Sequence, residues 1–581
     1  MGERQASGEA EKRICVLKFG SSVLGVEEDF PSAALEIYRH VRDGEKVVAV
    51  VSALAGETDS LLGQAERVGG EGDPALVARV ARVGELHSAG LMALALGRLG
   101  LRACTLDPHE MGLVAEGEPL DSDLVALDAA IIHARLDSHE VVVVPGFTAV
   151  HREHGVVTLG RGGTDLSAVF FAARLDAHRV RLIKDVDGVY AEDPAKNPYA
   201  ERYLALDYDL AAEVSTGLVQ PKAIHAAKVE NVLIEVASLG AGEATTIADV
   251  AARKALPARG RKLRVALLGC GAVGAGVLAH FNQWADLFEL NPVLVRDPSG
   301  RAGGSGRFTA DVEAALAGAD LIVETMGGAD FAADLLCPAL RSGVHVVTAN
   351  KAAVAKHYEA LHACAKSGGA MLAYSAAVGG GVPILEALAR LDGVVEVEGV
   401  MNGTVNYLLG RLAEGWRFDE ALARAQELGF AEADPSADVD GDDAADKLSI
   451  LVREALHVPL PPSRIGRQSL RDIPGDGAAQ ALARGETLKQ VGRCRLLPGG
   501  GVEAEVRIVS LPLDHPLAGA RNEENRFTVR TADGKARTLC GKGAGRWPTA
   551  ASVFADVMDI QRALVLRSGD AQASEPALLR A

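Results

Sequence analysis

The sequence of 581 residues predicts an α/β protein with two successive α/β series and a third, mixed part. Three observations indicate this. Apolar segments of strand length alternate with helical segments. The alternation occurs before and again after a small-residue stretch at 238–262. Beyond Gly379, one strand segment, several helices and the strand segments VEAEVRIVSL and RFTVRTADGKA favour a mixed or antiparallel sheet. We therefore predict domains at 14–240, 262–373 and 374–569, with a linker at 241–261.

The composition argues against nucleic-acid and membrane partners. Charged residues make up 24% of the chain and the formal net charge is −18, whereas binding of nucleic-acid phosphates needs a basic surface. No apolar run reaches the ~18 residues that span a bilayer, and the polar N-terminus lacks the apolar core of a signal peptide. The seven dispersed cysteines form no CxxC pair, so we expect no metal or disulfide framework and a cytoplasmic location.

The first series contains strand segments and helical segments in alternation. The strand segments are ICVLKFG, EKVVAVVSAL, EVVVVPGF, RVRLIKDVDG and NVLIEVASL, and PALVARVARVGELHSAGLMALALGRL and TDLSAVFFAARLDA are helical. Lys18 ends the first strand before a Gly/Ser loop, whose backbone N–H groups can face a phosphate. In LGRGGTD, glycines surround Arg161 before Thr164 and Asp165 begin a helix, where an anion can bind.

The second series opens with a glycine pattern typical of dinucleotide binding. Gly269, Gly271 and Gly274 stand at GxGxxG spacing between the strand segment LRVALLG and a helix segment. The first glycine makes the tight turn, the second lets a pyrophosphate approach, and the third allows close helix packing. The next strand ends in Arg296 and Asp297. An acid there favours a free 2′-hydroxyl and an arginine favours a 2′-phosphate, so the choice between NAD and NADP stays open.

An acidic segment at 429–447, GFAEADPSADVDGDDAADK, is the most informative part of the chain. Its last acids and Lys447 precede the apolar LSILV, which predicts a helix start, and Asp443 and Lys447 share one face of that helix. Carboxylates can hold an amino or hydroxyl group, and a lysine can move a proton. With a dinucleotide pattern upstream, this segment favours hydride transfer that involves a small amino alcohol.

Six segments in order make the part from 262 to 569 resemble homoserine dehydrogenases. These are GCGAVG, VVTANKA, YSAAVGGGVPIL, VMNGTVNYLL, AEADPSADVDGDDAADKLSIL and GKGAGRWPTAASVFADV. The resemblance implies interconversion of L-aspartate 4-semialdehyde and L-homoserine with NAD or NADP, with Lys447 and Lys351 as the catalytic lysines. It assigns the substrate to Glu432, Asp438, Asp443, Tyr374, Asn402, Gly403 and Thr404. It assigns the cofactor to Gly269, Gly271, Ala272, Val273, Gly274, Arg296, Thr348, Asn350, Gly379 and Gly545.

The resemblance also describes the surroundings of the nicotinamide ring. Tyr374–Gly381 and Gly541–Thr549 look like loops that close over it. Many family members carry an acid after the tyrosine, where a monovalent cation is bound. Ser375 stands at this place, which argues against that cation, and we assign no metal ligand.

The part from Ile14 to Leu239 resembles the amino-acid kinase superfamily, aspartokinases in particular. The matching segments are KFGSS, VVSALAGETDSLL, VGELHSAG, PGFTAV, LGRGGTD, KDVDGVYAEDP and STGLVQPKA. The resemblance implies an α/β/α sandwich that phosphorylates L-aspartate with ATP and Mg²⁺. It assigns ATP to Lys18, Gly20, Ser21, Lys184, Asp185 and Tyr190, and aspartate to Thr58, Glu85, Arg161, Thr164 and Asp165.

Several residues depart from the aspartokinase pattern. KFGSSV is closer to glutamate 5-kinases, and Ala195 stands where an arginine is expected after YxxDP. A nucleotide-facing lysine is expected near Gly217, for which Lys196 or Lys222 are the substitutes. Fused relatives commonly carry ACT regulatory domains between the two halves. The roughly twenty residues between the two resemblances leave no room for an ACT fold, so we expect no threonine feedback through one.

The expected protein is a bifunctional enzyme that acts on small molecules: L-aspartate, ATP, L-homoserine and aspartate semialdehyde. The family resemblance implies a homodimer or homotetramer. Two alternatives stay open. One is a homoserine dehydrogenase whose kinase-like domain is a weak or inactive scaffold, and the other is a kinase that acts on another amino acid, such as glutamate.

Overall fold

A computed structural model of the chain describes residues 13–70, 72–160, 162–197, 199–256, 261–299 and 306–573, with side chains as far as 567. The chain divides into two compact units, which are Met1–Arg259 with Ser568–Ala581, and Gly260–Arg567. No helix in the described part of the chain combines the length and apolar character needed to cross a membrane.

The described part of the first unit alternates strands and helices as predicted. Its strands are β1 (Ile14–Phe19), β2 (Lys46–Val51), β3 (Ala103–Thr105), β4 (Val114–Glu118), β5 (Asp121–Ala126), β6 (Val141–Pro145), β7 (Thr148–His151), β8 (Gly155–Thr158), β9 (Arg179–Lys184), β10 (Arg202–Leu206), β11 (Ile234–Ser238), β12 (Thr245–Ile247) and β13 (Arg253–Ala255). Its helices are α1 (Phe30–Arg42), α2 (Glu57–Gly69), α3 (Pro74–Leu99), α4 (Ala129–Ser138), α5 (Gly163–Arg174), α6 (Tyr208–Val214) and α7 (Pro221–Glu230).

A nine-stranded sheet in the order β13-β10-β12-β11-β9-β1-β2-β6-β3 forms the centre of this unit. β1 pairs in parallel with β2 and β9, and every residue of β1 is buried. Such continuous apolar strands are covered on both faces, as parallel sheets require. A second, four-stranded sheet has the order β5-β4-β7-β8. Because β1 and β9 are parallel neighbours, Lys18 and Lys184 both lie near the carboxyl ends of these strands.

The segment predicted as a linker, 241–261, contains two strands. β12 pairs with β11 and β10, and β13 pairs antiparallel with β10. The first unit therefore extends to Arg259 and does not end at residue 240. Strands of three residues within a run of small side chains carry too little periodicity to be recognised from sequence.

The described part of the second unit contains two sheets. Its strands are β14 (Leu263–Leu268), β15 (Phe288–Leu290), β16 (Val293–Leu294), β17 (Phe308–Thr309), β18 (Leu321–Glu324), β19 (His345–Thr348), β20 (Leu372–Ala373), β21 (Val394–Val400), β22 (Gly466–Arg467), β23 (Glu486–Leu496), β24 (Val502–Pro512), β25 (Glu524–Thr531) and β26 (Ala536–Lys542). Its helices are α8 (Ala272–Gln283), α9 (Val312–Leu316), α10 (Ala329–Arg341), α11 (Lys351–Gly368), α12 (Ser375–Gly379), α13 (Ile384–Ala389), α14 (Gly403–Ala413), α15 (Phe418–Glu427), α16 (Ser436–Val439), α17 (Asp442–Leu456), α18 (Gly477–Ala483) and α19 (Arg546–Ala573).

The first sheet of this unit has the Rossmann topology. Its main path is β17-β16-β14-β18-β19-β20, with β15 also pairing β14, and its pairs are parallel. This is the order 3-2-1-4-5-6, in which a ligand binds where the order reverses, next to the first strand. Here that strand is β14, which ends immediately before Gly269.

The second sheet is mixed, as the sequence predicts. It has the order β22-β24-β23-β21-β25-β26, with one parallel pair, β22 and β24, among antiparallel ones. Helices α14, α17 and α18 pack on β23. Part of Tyr374–Gly381 differs from the predicted loop, because Ser375–Gly379 forms the one-turn helix α12.

Candidate functional site

A buried carboxylate joins two lysines in the second unit. Asp443 Oδ1 lies 3.0 Å from Lys351 Nζ, and Asp443 Oδ2 lies 2.8 Å from Lys447 Nζ. Lys447 Nζ also donates to the carbonyl oxygen of Met401 at 2.8 Å. The side chain of Asp443 is 8% exposed, that of Lys447 12%, and that of Lys351 40%. The structure thus brings together the two predicted catalytic lysines and the predicted substrate carboxylate.

Local backbone structure explains this arrangement. Gly441 precedes α17 with φ of 85°, a left-handed conformation that suits glycine. Asp443 then falls in the first turn of α17, where the helix dipole favours a negative charge, and Lys447 lies one turn later on the same face. Lys351 is the first residue of α11, which packs against α17.

An amide extends the cluster to a second acid. Asn402 Nδ2 donates to Asp443 Oδ2 at 2.9 Å and to Asp438 Oδ1 at 2.7 Å, while its Oδ1 caps α14 by accepting from the Val405 N–H. Thr404, in the same first turn, donates its hydroxyl to the Phe430 carbonyl. Asn402 thereby holds the two carboxylates close together.

The pKa values of Asp443 and Asp438 are shifted in opposite directions. Burial alone would raise the pKa of Asp443, but Lys447 and Lys351 outweigh it and hold that pKa well below its usual range. Burial, with the Asp443 charge, raises the pKa of Asp438. The charge of Asp443 raises the pKa of Lys351. At neutral pH the cluster therefore keeps Asp443 ionised and Lys351 protonated.

Asp446 should make the stability of this region depend on pH. Burial, with the Asp443 charge, raises its pKa from 3.8 to about 6. A carboxyl group with a raised folded-state pKa contributes stability below its unfolded pKa, and this is lost as the pH rises through the folded value. Asp446→Asn should therefore gain about 1–2 kcal/mol relative to wild type between pH 4 and 7, after allowance for solvent screening.

Urea unfolding at several pH values checks the Asp446 prediction, with tryptophan fluorescence as the signal. All three tryptophans of the chain, Trp284, Trp416 and Trp547, lie in the second unit. The exposed Asp442 is the matched control, since Asp442→Asn should show no such gain. A stability difference between Asp446→Asn and wild type that stays constant from pH 4 to 7 would refute the assignment.

Two predicted substrate residues lie outside the lysine cluster. Glu432 is exposed, and its carboxylate makes no hydrogen bond or ion pair within the described part of the chain. Tyr374 is buried, and its hydroxyl donates to Glu454 Oε1 at 2.7 Å and lies 2.9 Å from His362 Nε2. Burial, with the charge of Glu454, raises the pKa of Tyr374 far above its usual value. The observed contacts of Tyr374 are therefore those of a buried structural residue.

The glycine pattern has the geometry of a dinucleotide site. Gly269 has φ of 94°, and a Cβ on Gly274 would lie 2.2 Å from the Gly269 carbonyl oxygen, so this helix packs closely on the strand end. A Cβ on Gly271 would meet nothing within 4 Å. Ala272 and Val273 form the first turn of α8. The N-terminus of α8 is therefore open, and its free N–H groups suit a pyrophosphate.

A buried acid shapes the next strand ends of this sheet. Thr348 Oγ1 donates to Glu324 Oε2 at 2.5 Å, and the Met326 N–H donates to Glu324 Oε1 at 2.6 Å. Burial raises the pKa of Glu324. Asn350 caps α11 and donates to the Gly328 carbonyl. Glu324 thus orders the turn before Lys351. Sequence reasoning missed Glu324, although an acid at the end of the apolar strand LIVE could have indicated a buried functional carboxylate.

The two predicted nicotinamide segments lie against each other. The Gly381 N–H donates to the Lys542 carbonyl at 3.0 Å, and a Cβ on Gly380 would lie 2.2 Å from the Gly543 carbonyl oxygen. Gly379 ends α12, and Gly545, with φ of 117°, directly precedes α19. Ser375 donates its N–H and its hydroxyl to the buried Asp556. Sequence reasoning missed Asp556, because only the fold brings α19 to residue 375.

The first unit has its own charged cluster at the carboxyl ends of the adjacent strands β1 and β9. Asp165 lies 2.7 Å from Lys18 Nζ and 2.9 Å from Lys184 Nζ, and all three side chains are less than 10% exposed. Burial would raise the pKa of Asp165, but the two lysines lower it. Burial, with the Lys18 charge, lowers the pKa of Lys184. Two cations with one shared counter-ion form a site that can accept further negative charge.

Other predicted kinase residues lie around this cluster or apart from it. Burial raises the pKa of Glu85 to about 8, while Lys18 acts in the opposite direction. A Cβ on Gly20 would lie 2.5 Å from Lys18 Nζ, and one on Gly146 would lie 2.4 Å from Thr164 Cγ2. Tyr190 donates to Asp187 at 2.6 Å. Of the remaining predicted residues, Ser21 and Asp185 are exposed, Thr58 is half-buried, and Arg161 lies outside the described residues.

The two candidate substitute lysines have different surroundings. Lys222 Nζ lies 3.1 Å from Asp121 Oδ1, and the same oxygen would lie 2.2 Å from a Cβ on Gly160. Lys222 is therefore next to the glycine-rich loop. Lys196 is 85% exposed and lies 3.4 Å from Asp193. The position of Lys222 beside this loop favours Lys222 over Lys196 as the substitute for the expected nucleotide-facing lysine.

Comparisons with known proteins agree with this division of the chain. Family models match at 13–237 (Amino acid kinase family), 269–375 (Homoserine dehydrogenase, NAD binding domain) and 382–558 (Homoserine dehydrogenase). A homoserine dehydrogenase of Lactococcus lactis is 35% identical over 51% of this chain and 74% of its own length. One of Pseudomonas aeruginosa is 34% identical over 52% and 73%.

A solved structure shows the same relationship. The homoserine dehydrogenase of Thiobacillus denitrificans superposes with a TM-score of 0.51 and 31% identity, over 54% of this chain and 76% of that one. An amino acid kinase domain thus precedes the dehydrogenase domains. Together with the lysine–carboxylate cluster and the glycine-rich strand end, these matches show that the chain belongs to the homoserine dehydrogenase family.

Proposed function

We propose that the second unit interconverts L-aspartate 4-semialdehyde and L-homoserine, and that the first unit phosphorylates L-aspartate with ATP. The observation that carries the first statement is Asp443, a buried carboxylate between Lys351 and Lys447 at 3.0 and 2.8 Å. The family match supports homoserine dehydrogenase activity. The kinase match supports phosphoryl transfer to an amino acid, and the choice of aspartate is our proposal.

The geometry of Lys447 suits proton transfer to a substrate oxygen. An ammonium group has three N–H donors. Asp443 and the Met401 carbonyl accept two of them, which leaves the third for the substrate. In the reductive direction this N–H donates its proton to the oxygen that becomes the hydroxyl group. In the oxidative direction the amine accepts the hydroxyl proton. Asp443 and Asp438 suit the amino group of the substrate, because it is cationic.

The residues at the end of β14 fit a nicotinamide dinucleotide. Gly269, Gly271 and Gly274 would hold its pyrophosphate at the N-terminus of α8, where a Cβ at Gly271 would find open space. When bound, this cofactor supplies the hydride acceptor or donor of the reaction. Thr348, Asn350 and the contacting glycine segments at 379–381 and 543–545 would exclude water from the nicotinamide end.

We further propose NADP as the preferred cofactor. Arg296 is exposed and lies two residues after Leu294, the end of β16, whereas Asp297 Oδ1 already accepts from the N–H and the hydroxyl of Ser299. Arg296→Ala should lower kcat/KM for NADP by roughly 10-fold and leave that for NAD nearly unchanged, since only the 2′-phosphate needs the guanidinium. Steady-state kinetics with both cofactors check this. An equal loss with both cofactors would contradict the proposal.

The kinase proposal rests on charge. Phosphoryl transfer needs cations that balance the charge of the transferred group, and little covalent chemistry from the protein. Lys18 and Lys184 share Asp165 as a counter-ion, and Lys222 lies near the glycine-rich loop. Mg²⁺ would bring the phosphates to the carboxyl ends of β1 and β9. Asp185, which directly follows Lys184, would offer an exposed carboxylate there. The acceptor is the side-chain carboxylate of aspartate, and the products are 4-aspartyl phosphate and ADP.

A hydroxamate assay on the full chain tests the kinase proposal. With ATP, Mg²⁺ and hydroxylamine, the acyl phosphate is trapped as a hydroxamate. We expect kcat/KM for L-aspartate to exceed that for L-glutamate by about 10-fold or more, since one methylene is worth roughly 1–3 kcal/mol in a fitted pocket. Lys18→Ala should lower the aspartate rate by roughly 10²-fold.

Matched controls separate the outcomes of this assay. Lys228→Ala removes an exposed lysine that pairs with Asp209, so it should leave the rate unchanged. A higher kcat/KM for glutamate would assign the domain to another amino acid. Wild-type product no greater than that of Lys18→Ala would indicate a scaffold without kinase activity.

The proposed assembly is a homodimer or homotetramer, which follows from the family resemblance. Light scattering of the full chain measures its mass directly. A mass equal to that of one chain would refute this proposal.

A further inference from the structure

Two buried side-chain amides in the mixed sheet of the second unit lack hydrogen-bond partners. They belong to Asn525 on β25, which is 1% exposed, and to Gln490 on β23, which is 3% exposed. Neither the amide nitrogen nor the amide oxygen of either residue has a partner among the described residues. A buried polar atom without a partner costs free energy, so these amides are candidates for contacts with a ligand that supplies the missing donor and acceptor.

The sheet register places Asn525 beside the lysine cluster. Val400 ends β21 and pairs with Arg526 of β25. The next residues of these two antiparallel segments are Met401 and Asn525, which the same register puts side by side. The Met401 carbonyl accepts from Lys447 Nζ at 2.8 Å. Asn525 therefore lies next to the residue that anchors the proposed proton-transfer lysine.

Asn525 also contacts one of the two nicotinamide segments. It pairs with Gly541 in the sheet, and Gly543 follows two residues later. A Cβ on Gly543 would lie 2.1 Å from both Nδ2 and Oδ1 of Asn525, so the absence of a side chain at Gly543 makes room for the amide. Gly543 in turn meets Gly380, whose Cβ would lie 2.2 Å from the Gly543 carbonyl oxygen. The amide of Asn525 is therefore placed between the anchor of Lys447 and the contacting nicotinamide segments.

Gln490 lacks the contact with a nicotinamide segment. It lies on β23, and β23 and β25 flank β21 on opposite sides in the order β23-β21-β25-β26. At a strand spacing of about 4.8 Å, the backbones of β23 and β26 are roughly 14 Å apart. The argument for a cofactor contact therefore applies to Asn525 alone, and Gln490 is its matched comparison.

The two unpaired atoms of Asn525 define the chemistry of the group that it can bind. An amide side chain offers N–H donors and a carbonyl acceptor, whichever way its nitrogen and oxygen are assigned. A substrate carboxylate only accepts, so it would leave Oδ1 without a partner. The carboxamide of a nicotinamide ring both donates and accepts, so it can pair with both atoms of Asn525 at once. Two such hydrogen bonds would also fix the orientation of the ring.

We propose that Asn525 binds the carboxamide of the nicotinamide ring through a reciprocal pair of hydrogen bonds and thereby orients the ring toward the substrate. This inference rests on the dinucleotide site of the proposed function and adds a residue to that site. The amide is covered in the structure, so entry of the ring separates Gly380 from Gly543 and exposes the amide edge. Sequence analysis missed Asn525, because only the sheet register brings it next to Met401.

Calorimetric titration of the full chain with three ligands tests this contact. The ligands are NADP, its 3-acetylpyridine analogue, in which a methyl group replaces the carboxamide NH₂, and 2′-phospho-ADP-ribose, which lacks the nicotinamide ring. If NAD binds more tightly than NADP, NAD, its analogue and ADP-ribose take their place. Asn525→Leu keeps the shape of the side chain and removes both polar atoms.

The expected effects are confined to the nicotinamide end of the cofactor. Wild type should bind NADP roughly 10-fold more tightly than the analogue, and Asn525→Leu should bind the two about equally. Asn525→Leu should weaken NADP binding by roughly 10-fold but leave the affinity for 2′-phospho-ADP-ribose within about threefold of wild type. Because the amide has no partner among the described residues, Asn525→Leu should keep or raise the Tm, whereas loss of a structural hydrogen bond would lower it.

Gln490→Met is the matched control, because it removes an equally buried amide on β23. It should keep the wild-type preference for NADP over the analogue, and a loss of this preference in both variants would overturn the proposal. If Asn525→Leu does not fold, Asn525→Ala replaces it in the same titrations.

The other outcomes separate the Asn525 contact from the cofactor site itself. Wild type that binds none of the dinucleotides would refute the proposed cofactor site, and this inference with it. Wild type that binds NADP but shows no preference over the analogue would overturn only the contact, as would an unchanged preference in Asn525→Leu. An equal loss of affinity for NADP and for 2′-phospho-ADP-ribose would also overturn it, since the effect would then not lie at the carboxamide.

Discussion

Replacing Lys447 with alanine is expected to lower kcat for homoserine oxidation by roughly 10²–10⁴-fold. Lys447 Nζ donates to Asp443 and to the Met401 carbonyl, which leaves one position for the reacting oxygen; in the neutral amine this position is the lone pair that accepts the hydroxyl proton. Without Lys447 the hydroxyl proton has no positioned acceptor, because Asp443 already accepts from Asn402 and lies 3.0 Å from Lys351. Stopped-flow or steady-state measurement of nicotinamide absorbance gives kcat directly.

The Lys447 experiment needs a readout that separates chemistry from binding. Cofactor affinity, measured by fluorescence titration, should stay within about threefold of wild type, because the glycine-rich strand end is unchanged. Lys356→Ala is the control, since Lys356 is an exposed lysine of α11 that pairs with Asp330. Near-normal turnover by Lys447→Ala, with the control also normal, would contradict the role of Lys447 in proton transfer.

Replacing Asp443 with asparagine should damage stability and activity together. The buried carboxylate neutralises Lys447 and Lys351, and removal of one partner from a buried ion pair costs about 3–5 kcal/mol. Lys351 is 40% exposed, so solvent relieves part of this cost and we expect about 3 kcal/mol. kcat/KM should fall by roughly 10³-fold, because both lysines lose their common anchor and the substrate loses a carboxylate.

The pH dependence of the Asp443 effect has a definite sign. Its folded-state pKa lies below the ordinary value of 3.8, so its stabilising contribution is complete above that value and is lost as the pH falls. The free energies of unfolding of wild type and Asp443→Asn should therefore converge in acid and differ most at neutral pH.

Tryptophan fluorescence in urea measures the unfolding of the second unit. Asp442→Asn, at an exposed aspartate 2.5 Å from Arg467, should lose less than about 0.5 kcal/mol. A loss from Asp443→Asn no greater than this control contradicts the ion-pair argument.

Much of the architecture could be predicted from periodicity and turn residues. The 26-residue segment PALVARVARVGELHSAGLMALALGRL forms α3 with the predicted bounds Pro74–Leu99. The GxGxxG pattern stands between β14 and α8 as its spacing indicates. These features are local, because helix faces, strand runs and glycine turns depend on neighbours within a few residues. The mixed sheet after Gly379 was also predicted in kind, but not its strand order.

Parts of the candidate sites could be predicted, and other parts could not. Asp443 and Lys447 lie one helical turn apart, so the sequence alone places them on one face. Lys351 is 92 positions before Asp443, and its approach to 3.0 Å depends on the packing of α11 against α17. Asp556 beside Ser375 likewise comes from a distant part of the chain.

The amino-acid sequence by itself determined the longer helices and strands, the two α/β series, the glycine turn after β14 and the placement of Asp443 and Lys447 on one helix face. Only the tertiary structure decided which carboxylate serves two lysines and which predicted residues stay apart from them. The physical reason is the separation along the chain over which each kind of interaction acts. Local patterns record backbone preferences and helix periodicity, whereas ionisation depends on charges and burial that distant segments bring within a few ångströms.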